Sequence, residues 1–165
     1  VDALPHYTDQ KNIELFERFC VYTKTELESR TEILLENYYK VLNIEALTMV
    51  DMARKQIIPA GMKLGKQLAD SVVAKKTAGV DSDVELALAN KVSGLTKNIS
   101  ASTDKIEALL LDAADAGNTE ATAKYFRNSV FPAMQTLRAF ADELETVTPA
   151  ELWPMPTYSE LLFNI

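Results

Sequence analysis

The stretch that decides the fold is residues 82–117, SDVELALANKVSGLTKNISASTDKIEALLLDAADAG. It opens with a capping-box pattern, Ser82 followed three residues later by Glu85, and it closes at Gly117. Between them, side chains recur at alternating steps of four and three residues, at Leu88, Val92, Leu95, Ile99, Ser102, Ile106, Leu109 and Ala113. All of these but the serine are apolar, which places one apolar row along a single side of an α-helix. The sequence therefore predicts a long helix over 82–116.

The same signals predict a still longer helix before it, over residues 24–77. Thr23 and Glu26 form a second capping-box pattern at its start, and Gly79 is a natural stop after its end. Pro59 lies inside this helix and lacks the backbone N–H that a helix interior needs, so we expect a kink there.

Two more helices complete the pattern. Thr8 and Asp9 can cap a short helix over 9–19, after a lead-in at 1–7 that we expect to be extended. The last long helix is predicted over 120–147, where apolar residues again alternate in steps of four and three, at Phe126, Val130, Ala133, Leu137, Phe140, Leu144 and Val147.

These elements define the fold class that we predict: an all-α, antiparallel bundle of three long helices, because turns as short as 78–81 and 117–119 make consecutive helices antiparallel neighbours. The short N-terminal helix and a tail rich in proline and aromatic residues, 150–165, flank the bundle. With 165 residues, we expect a single domain over 1–165.

Composition and charge argue against several classes of function. The net charge is −7, which disfavours binding to nucleic acid or to anionic lipid, and no apolar run is long enough to span a membrane. A single cysteine, Cys20, cannot form an internal disulfide, which favours a cytoplasmic location. We expect this thiol to be packed on an apolar face and unreactive.

No catalytic or metal-binding pattern is evident in the sequence. The only histidine, His6, precedes the long helices, so the Glu-x-x-His pairs of a di-iron bundle are missing, and we expect it to be solvated or hydrogen-bonded. No glycine-rich phosphate loop or Cys/His cluster is present. The many glutamates are best explained as a solvated helix surface with ion pairs such as Glu36–Lys40. Asp51 is close in sequence to Arg54 and Lys55, and we expect it to form an ion pair with one of them at a buried interface.

The segment 33–53, ILLENYYKVLNIEALTMVDMA, is apolar at 14 of 21 positions, and these positions cover most of the helix circumference. One small bundle can cover only part of such a helix, so we expect a partner surface on the rest. The candidate contact residues share one face at steps of four and three: Leu35, Tyr39, Leu42, Ala46 and Met49. The residues that would then face the bundle itself are Ile33, Leu34, Tyr38, Val41, Ile44 and Leu47. In the tail, Trp153, Tyr158 and Phe163 are further candidate contacts, although the tail could equally fold back on its own bundle.

Several blocks of the chain resemble one protein family. They are LPHYTDQKNIELFERFCVYTK (4–24), TKTELESRTEILLENYYKVLNIEALTMVDMARKQIIPA (23–60), YFRNSVFPAMQTLRAFADELE (125–145) and WPMPTYSELLFNI (153–165). Together they resemble the C-terminal region of type III glutamine synthetases, in the same order and over nearly the whole chain. Only about 62–118 is unspecific, and Cys20 stands where the family pattern favours a small residue.

The resemblance implies a role in an ATP-dependent ligase that joins ammonia to glutamate with divalent metal, Mg or Mn, in large ring-like oligomers. The catalytic residues of that family precede this region, so the resemblance assigns no catalytic, cofactor-binding or metal residue here. The implied partners are the upstream catalytic domain of the same chain and neighbouring subunits. The first residue, Val1, is not methionine, which is consistent with a piece of a longer chain.

Two alternatives remain open at this stage. An independent helical protein-interaction module would show the same helices and the same surplus of apolar surface. A small helical enzyme is less well supported, because the chain lacks recognisable ligands. An open reading frame that extends several hundred codons upstream of Val1 would distinguish the ligase module from the independent module.

Overall fold

The computed structural model describes residues 1–156 and 158–163, without the side chains of Tyr158 and Ser159. Within those ranges the chain is all-helical and contains no β-strand, which confirms the predicted all-α class. The α-helices are α1 Gln10–Arg18, α2 Lys24–Met52, α3 Ile58–Ala78, α4 Asp83–Asp112, α5 Thr119–Tyr125, α6 Phe131–Glu145 and α7 Tyr158–Leu162. The antiparallel three-helix arrangement itself stays a prediction. None of the helices in the described part of the chain is long and apolar enough to cross a membrane.

Helix ends follow the signals in the sequence. The Thr23 backbone N–H donates to the Glu26 carboxylate at 2.8 Å, and the Thr23 hydroxyl donates to the same oxygen at 2.9 Å. This capping interaction fixes the start of α2, and it lowers the pKa of Glu26 because these bonds stabilise the carboxylate. At the end of α3, Gly79 adopts a left-handed φ of 72°, which costs glycine little.

Two five-residue π-helical turns interrupt the long helices, Ala53–Ile57 before α3 and Phe126–Val130 before α6. Each lies directly before a proline near the start of the next helix, Pro59 and Pro132 respectively. A proline has no N–H and its ring crowds the carbonyl four residues earlier, and a π-turn widens the helix at that carbonyl. The interruption predicted at Pro59 thus takes the form of a π-turn, and the chain repeats it at Pro132.

Two local predictions were wrong. The lead-in forms a 3₁₀ helix, Leu4–Thr8, because Pro5 has a backbone angle suited to a first helical turn. Cys20 is exposed and adopts a left-handed φ of 54°, whereas we expected a packed thiol. The reason is that α1 ends at Arg18, so Cys20 lies in the turn that follows, where Val21 N–H bonds back to the Phe16 carbonyl at 2.9 Å.

The chain divides into two compact units, each assembled from two stretches of sequence. Unit 1 comprises 1–48 and 106–133, and unit 2 comprises 49–105 and 134–165. The single-domain assignment over 1–165 stays a prediction.

Unit 1 has a core that draws on several helices. Its buried apolar side chains are Ile13, Leu27, Leu35, Leu42, Ala46, Ile106, Ala113, Ala123, Phe126, Val130 and Ala133. The Tyr39 and Phe126 rings lie 5.8 Å apart, which connects α2 to the π-turn before α6. The Arg127 guanidinium pairs with Asp2 and lowers the pKa of that carboxyl, so the N-terminal lead-in is bound to the same turn.

Unit 2 packs α3 closely against α4. A Cβ atom added at Gly61 would lie 2.5 Å from Thr96 Oγ1 and 3.2 Å from Leu144 Cδ2, so only glycine fits at this helix crossing. Lys75 and Glu85 pair across the turn between α3 and α4, which lowers the pKa of Glu85. On the other side, Lys91 Nζ lies 2.9 Å from Glu143 Oε1, which connects α4 to α6.

The two alternating rows predicted from the sequence form much of the core. In α4 and the short turn after it, Val92, Leu95, Ile99, Ile106 and Ala113 are all buried. The polar residue most deeply buried here is Thr103, whose hydroxyl donates to the Ile99 carbonyl at 2.8 Å. That bond satisfies the hydroxyl within its own helix.

Candidate functional site

The middle of α2 is apolar on both sides, as its sequence predicts. One side contributes Leu35, Leu42 and Ala46 to the unit 1 core, with exposed fractions of 4%, 7% and 0%. Tyr39 is half-buried, like Met49, which follows in unit 2.

The predicted orientation of α2 is therefore wrong. We expected the row of Leu35, Leu42 and Ala46 to face a partner, but it faces the core. Steps of four and three are the spacing that packs against neighbouring helices, as in α4 and α6, and Ala46 allows a close approach between helices. A charged substitution such as Leu42→Glu is consequently expected to disrupt the fold of unit 1 itself.

The outward side of α2 carries five large apolar side chains, which we call the α2 stripe: Ile33, Leu34, Val41, Ile44 and Leu47. Between 44% and 63% of each is exposed. From Ile33 to Leu47 they span 15 residues, or about 21 Å along the helix axis between the two ends. Single exposed apolar residues are ordinary on a protein surface, but five on one helix form a patch of the kind that marks an interaction site.

Polar and charged residues lie within the α2 stripe as well as beside it, because Asn37 and Lys40 fall between Ile33 and Ile44 at helical spacing and both are exposed. Lys40 pairs with Glu36 one turn away, and this hydrogen bond raises the pKa of the Lys40 amine. The predicted pair of Asp51 with a nearby cation also forms, to Lys55, but both side chains are more than half exposed. The pair thus lies on the surface, because Asp51 follows the outward side of α2.

The tail contributes apolar surface at a second place. Phe163 is 70% exposed, whereas Trp153 is half-buried. The third predicted tail contact, the Tyr158 side chain, lies outside the described residues. The structure therefore leaves Phe163 accessible, and it places Trp153 partly against unit 2.

With this geometry in hand, the chain can be compared with known proteins. A family model described as the glutamine synthetase C-terminal domain matches residues 1–76. Residues 1–76 thus match a glutamine synthetase C-terminal domain. It is 36% identical to a glutamine synthetase of Butyrivibrio fibrisolvens over 99% of this chain and 24% of that protein. It is 32% identical to the type-3 glutamine synthetase of Dictyostelium discoideum, over 98% of this chain and 23% of that protein. A glutamine synthetase of Bacteroides fragilis is 28% identical over 99% of this chain.

The chain spans about a quarter of the length of the curated relatives that it matches. Similarity extends over nearly all of its own length, including the helices beyond residue 76. The recognition of the C-terminal region of a type III glutamine synthetase from sequence blocks is thereby confirmed.

The described part of the chain shows no candidate cluster of metal-binding side chains. Within the described ranges, no group of three or more His, Cys, Asp or Glu side chains could hold a metal ion. The single histidine, His6, bonds through Nδ1 to Asp9 at 3.0 Å and is well exposed. This contact confirms the hydrogen-bonded lead-in role expected for His6, and we derive no catalytic step from the chain.

Sequence reasoning missed which side of α2 is exposed and missed a groove in unit 2. Gly61, Gly65 and Ala69 recur every four residues along α3 and were a usable signal for close helix packing. Their consequence for the surface depends on which helix lies opposite, and the sequence alone does not give that.

Proposed function

We propose that this chain is a non-catalytic interface module of a glutamine synthetase, and that its α2 stripe docks on the preceding part of the same polypeptide. In the whole protein, ATP and Mg or Mn would be bound outside this chain, and ammonia would be ligated to glutamate there. A cytoplasmic location and assembly into a homo-oligomer belong to the same proposal.

The observation that carries this proposal is the two-sided apolar character of α2. Burying a large aliphatic side chain completely is worth roughly 1.5–3 kcal/mol. Each of the five side chains of the α2 stripe is about half exposed, so about half of that free energy would be gained when it is covered. Their gross burial would supply on the order of 5 kcal/mol, before the cost of ordering the contact is subtracted. Linkage within one chain raises the effective concentration of the partner, so this gain suffices for stable docking.

Substitution on the α2 stripe tests the proposal in the full-length protein. The double variant Ile44→Glu with Leu47→Glu places two charges on the face that would be buried. We expect the full-length protein to lose several degrees of thermal stability and part of its assembled state by size-exclusion chromatography. The isolated 165-residue chain should change by less than about 2 °C, because both side chains are exposed in it.

A matched control is available on α4 of the same unit. Leu111 is 76% exposed and lies outside the α2 stripe, so Leu111→Glu should leave both proteins unchanged. If the double variant leaves the full-length protein indistinguishable from wild type, the α2 stripe is not an internal interface.

A second experiment tests whether the isolated chain binds ATP. Calorimetric titration of the isolated chain with ATP and magnesium should show no micromolar site. A micromolar affinity would contradict the non-catalytic assignment, whatever the role of α2.

A further inference from the structure

The first 22 residues, which we call the N-terminal segment, belong to unit 1 and precede α2. They comprise the lead-in, α1 and the turn that follows it. Hydrogen bonds fix the course of the lead-in: the Thr8 hydroxyl donates to the Pro5 carbonyl at 2.8 Å, and the Asn12 amide donates to the His6 carbonyl at 2.6 Å. The lead-in is therefore bound to α1 along one defined course.

Ring contacts connect the N-terminal segment to α2. Tyr7 in the lead-in stacks on Phe16 of α1, with ring centroids 6.4 Å apart, and Phe16 lies 5.8 Å from the ring of Tyr22 in the turn. The Arg30 guanidinium of α2 lies 4.5 Å from the Tyr22 ring centroid, within the range of a cation–π interaction. The lead-in is thus joined to α2 through a continuous series of four side chains.

A second attachment lies at the π-turn before α6, where Arg127 pairs with Asp2. This hydrogen bond raises the pKa of the guanidinium, and Tyr38 of α2 lies close enough to Arg127 to act on it electrostatically. Tyr38 in turn falls between Leu34 and Val41 of the α2 stripe, at steps of four and three residues. The start of the N-terminal segment is therefore held beside the α2 stripe.

We propose that the N-terminal segment is a rigid joint, which holds the preceding polypeptide beside the α2 stripe and so promotes its docking there. This inference rests on the proposed function, in which that polypeptide covers the stripe. A flexible linker would spread the partner over its whole reach, whereas a fixed joint keeps the partner next to its surface at a higher effective concentration. Arg127 and Tyr7 are then positioning residues, because they fix the place from which the preceding polypeptide extends.

Maleimide labelling of a cysteine on the α2 stripe measures docking in the full-length protein. Ile44→Cys introduces the reporter on the stripe. Leu111→Cys gives the reference rate for an uncovered position, since Leu111 is 76% exposed on α4 of the same unit. Mass spectrometry of peptides separates both positions from the native Cys20, which is also exposed.

Three changes weaken or restore the joint in the reporter protein. Arg127→Asp replaces the ion pair with Asp2 by a repulsion, and Tyr7→Ala removes the stacked ring. Adding Asp2→Arg to Arg127→Asp restores an ion pair with its charges exchanged. Arg138→Asp is the matched control, because Arg138 pairs with Asp142 one turn away on α6, in unit 2, and this change leaves the joint intact.

With the joint intact, the reporter should react at least about tenfold more slowly than the reference. Arg127→Asp and Tyr7→Ala should each raise the reporter's rate at least about threefold, the exchanged pair should reverse most of that rise, and Arg138→Asp should leave the rate unchanged. A reporter that stays equally slow in both joint variants would overturn the joint while leaving the docking of the stripe intact.

Two other results would also overturn the joint: an exchanged pair that regains no protection, or an Arg138→Asp control that raises the rate as much as Arg127→Asp. A reporter that reacts as fast as the reference without any joint variant would refute docking of the α2 stripe itself, and the joint with it.

Discussion

The orientation of α2 leads to a specific prediction about two residues that lie two positions apart in the sequence. Leu42 is 7% exposed and belongs to the core of unit 1, whereas Ile44 is 63% exposed and belongs to the α2 stripe. Both are large aliphatic residues in the middle of one helix, so replacing each with alanine changes helix propensity little. Any difference in stability between the two variants therefore reports burial.

The magnitudes are well separated. Truncating a buried leucine to alanine costs about 2–5 kcal/mol, from lost burial together with the cavity that remains. In a protein of this size each kcal/mol corresponds to about 2–4 °C in Tm, so Leu42→Ala should lower Tm by roughly 6–12 °C if the cost is near 3 kcal/mol. Ile44→Ala should stay within about 0.5 kcal/mol, or about 2 °C.

Thermal and urea unfolding of the isolated 165-residue chain, followed by far-UV circular dichroism, would measure both effects. Ala46 offers an independent check, because it is completely buried and Ala46→Leu should be destabilising through overpacking, by about 1–3 kcal/mol. If Ile44→Ala destabilises the chain as much as Leu42→Ala does, the assignment of the two sides of α2 is refuted. Equal and small effects would refute it as well.

Three further predictions concern individual positions. Gly61→Ala should lower the free energy of unfolding by about 1–3 kcal/mol, because its Cβ would lie 2.5 Å from a threonine hydroxyl of α4. In urea unfolding, Gly65→Ala should be neutral or stabilising, because the atom nearest to its added Cβ is 3.9 Å away. Cys20→Gly should raise stability by up to about 1 kcal/mol in the same assay, since a left-handed φ of 54° disfavours any residue with a Cβ; an unchanged or lower value would show that this strain is absent. Glu26→Gln should be less stable than wild type at neutral pH, because the hydrogen bonds from Thr23 lower the pKa of Glu26 in the folded chain below its usual 4.5. The difference in the free energy of unfolding between the two proteins should narrow as the pH falls below 4.5 through that folded pKa. A difference that does not depend on pH would contradict an origin in the Glu26 carboxylate.

The sequence by itself determined the long helices and most of their ends. The Thr23–Glu26 capping box and the glycine at 79 act within one or two turns of chain, so their outcome does not depend on distant residues. The alternating apolar rows of α4 and α6 were equally decisive, because each has only one apolar side and that side must be buried. The family followed from sequence blocks alone, since similarity to glutamine synthetases extends along nearly the whole chain.

Tertiary structure alone decided how the surfaces are used. Because α2 is apolar all round, its periodicity was consistent with either side facing inward, and the choice depended on which neighbouring helices could approach Ala46 closely. The exposure of Cys20 depended on the residue at which α1 ends. A helix that ended two residues later than Arg18 would have included Cys20. The groove in unit 2 required the consecutive helices α3 and α4 to lie side by side, with small residues on both facing walls. Local patterns fix which residues are helical, whereas exposure depends on what lies opposite each helix, and only the packed chain supplies that information.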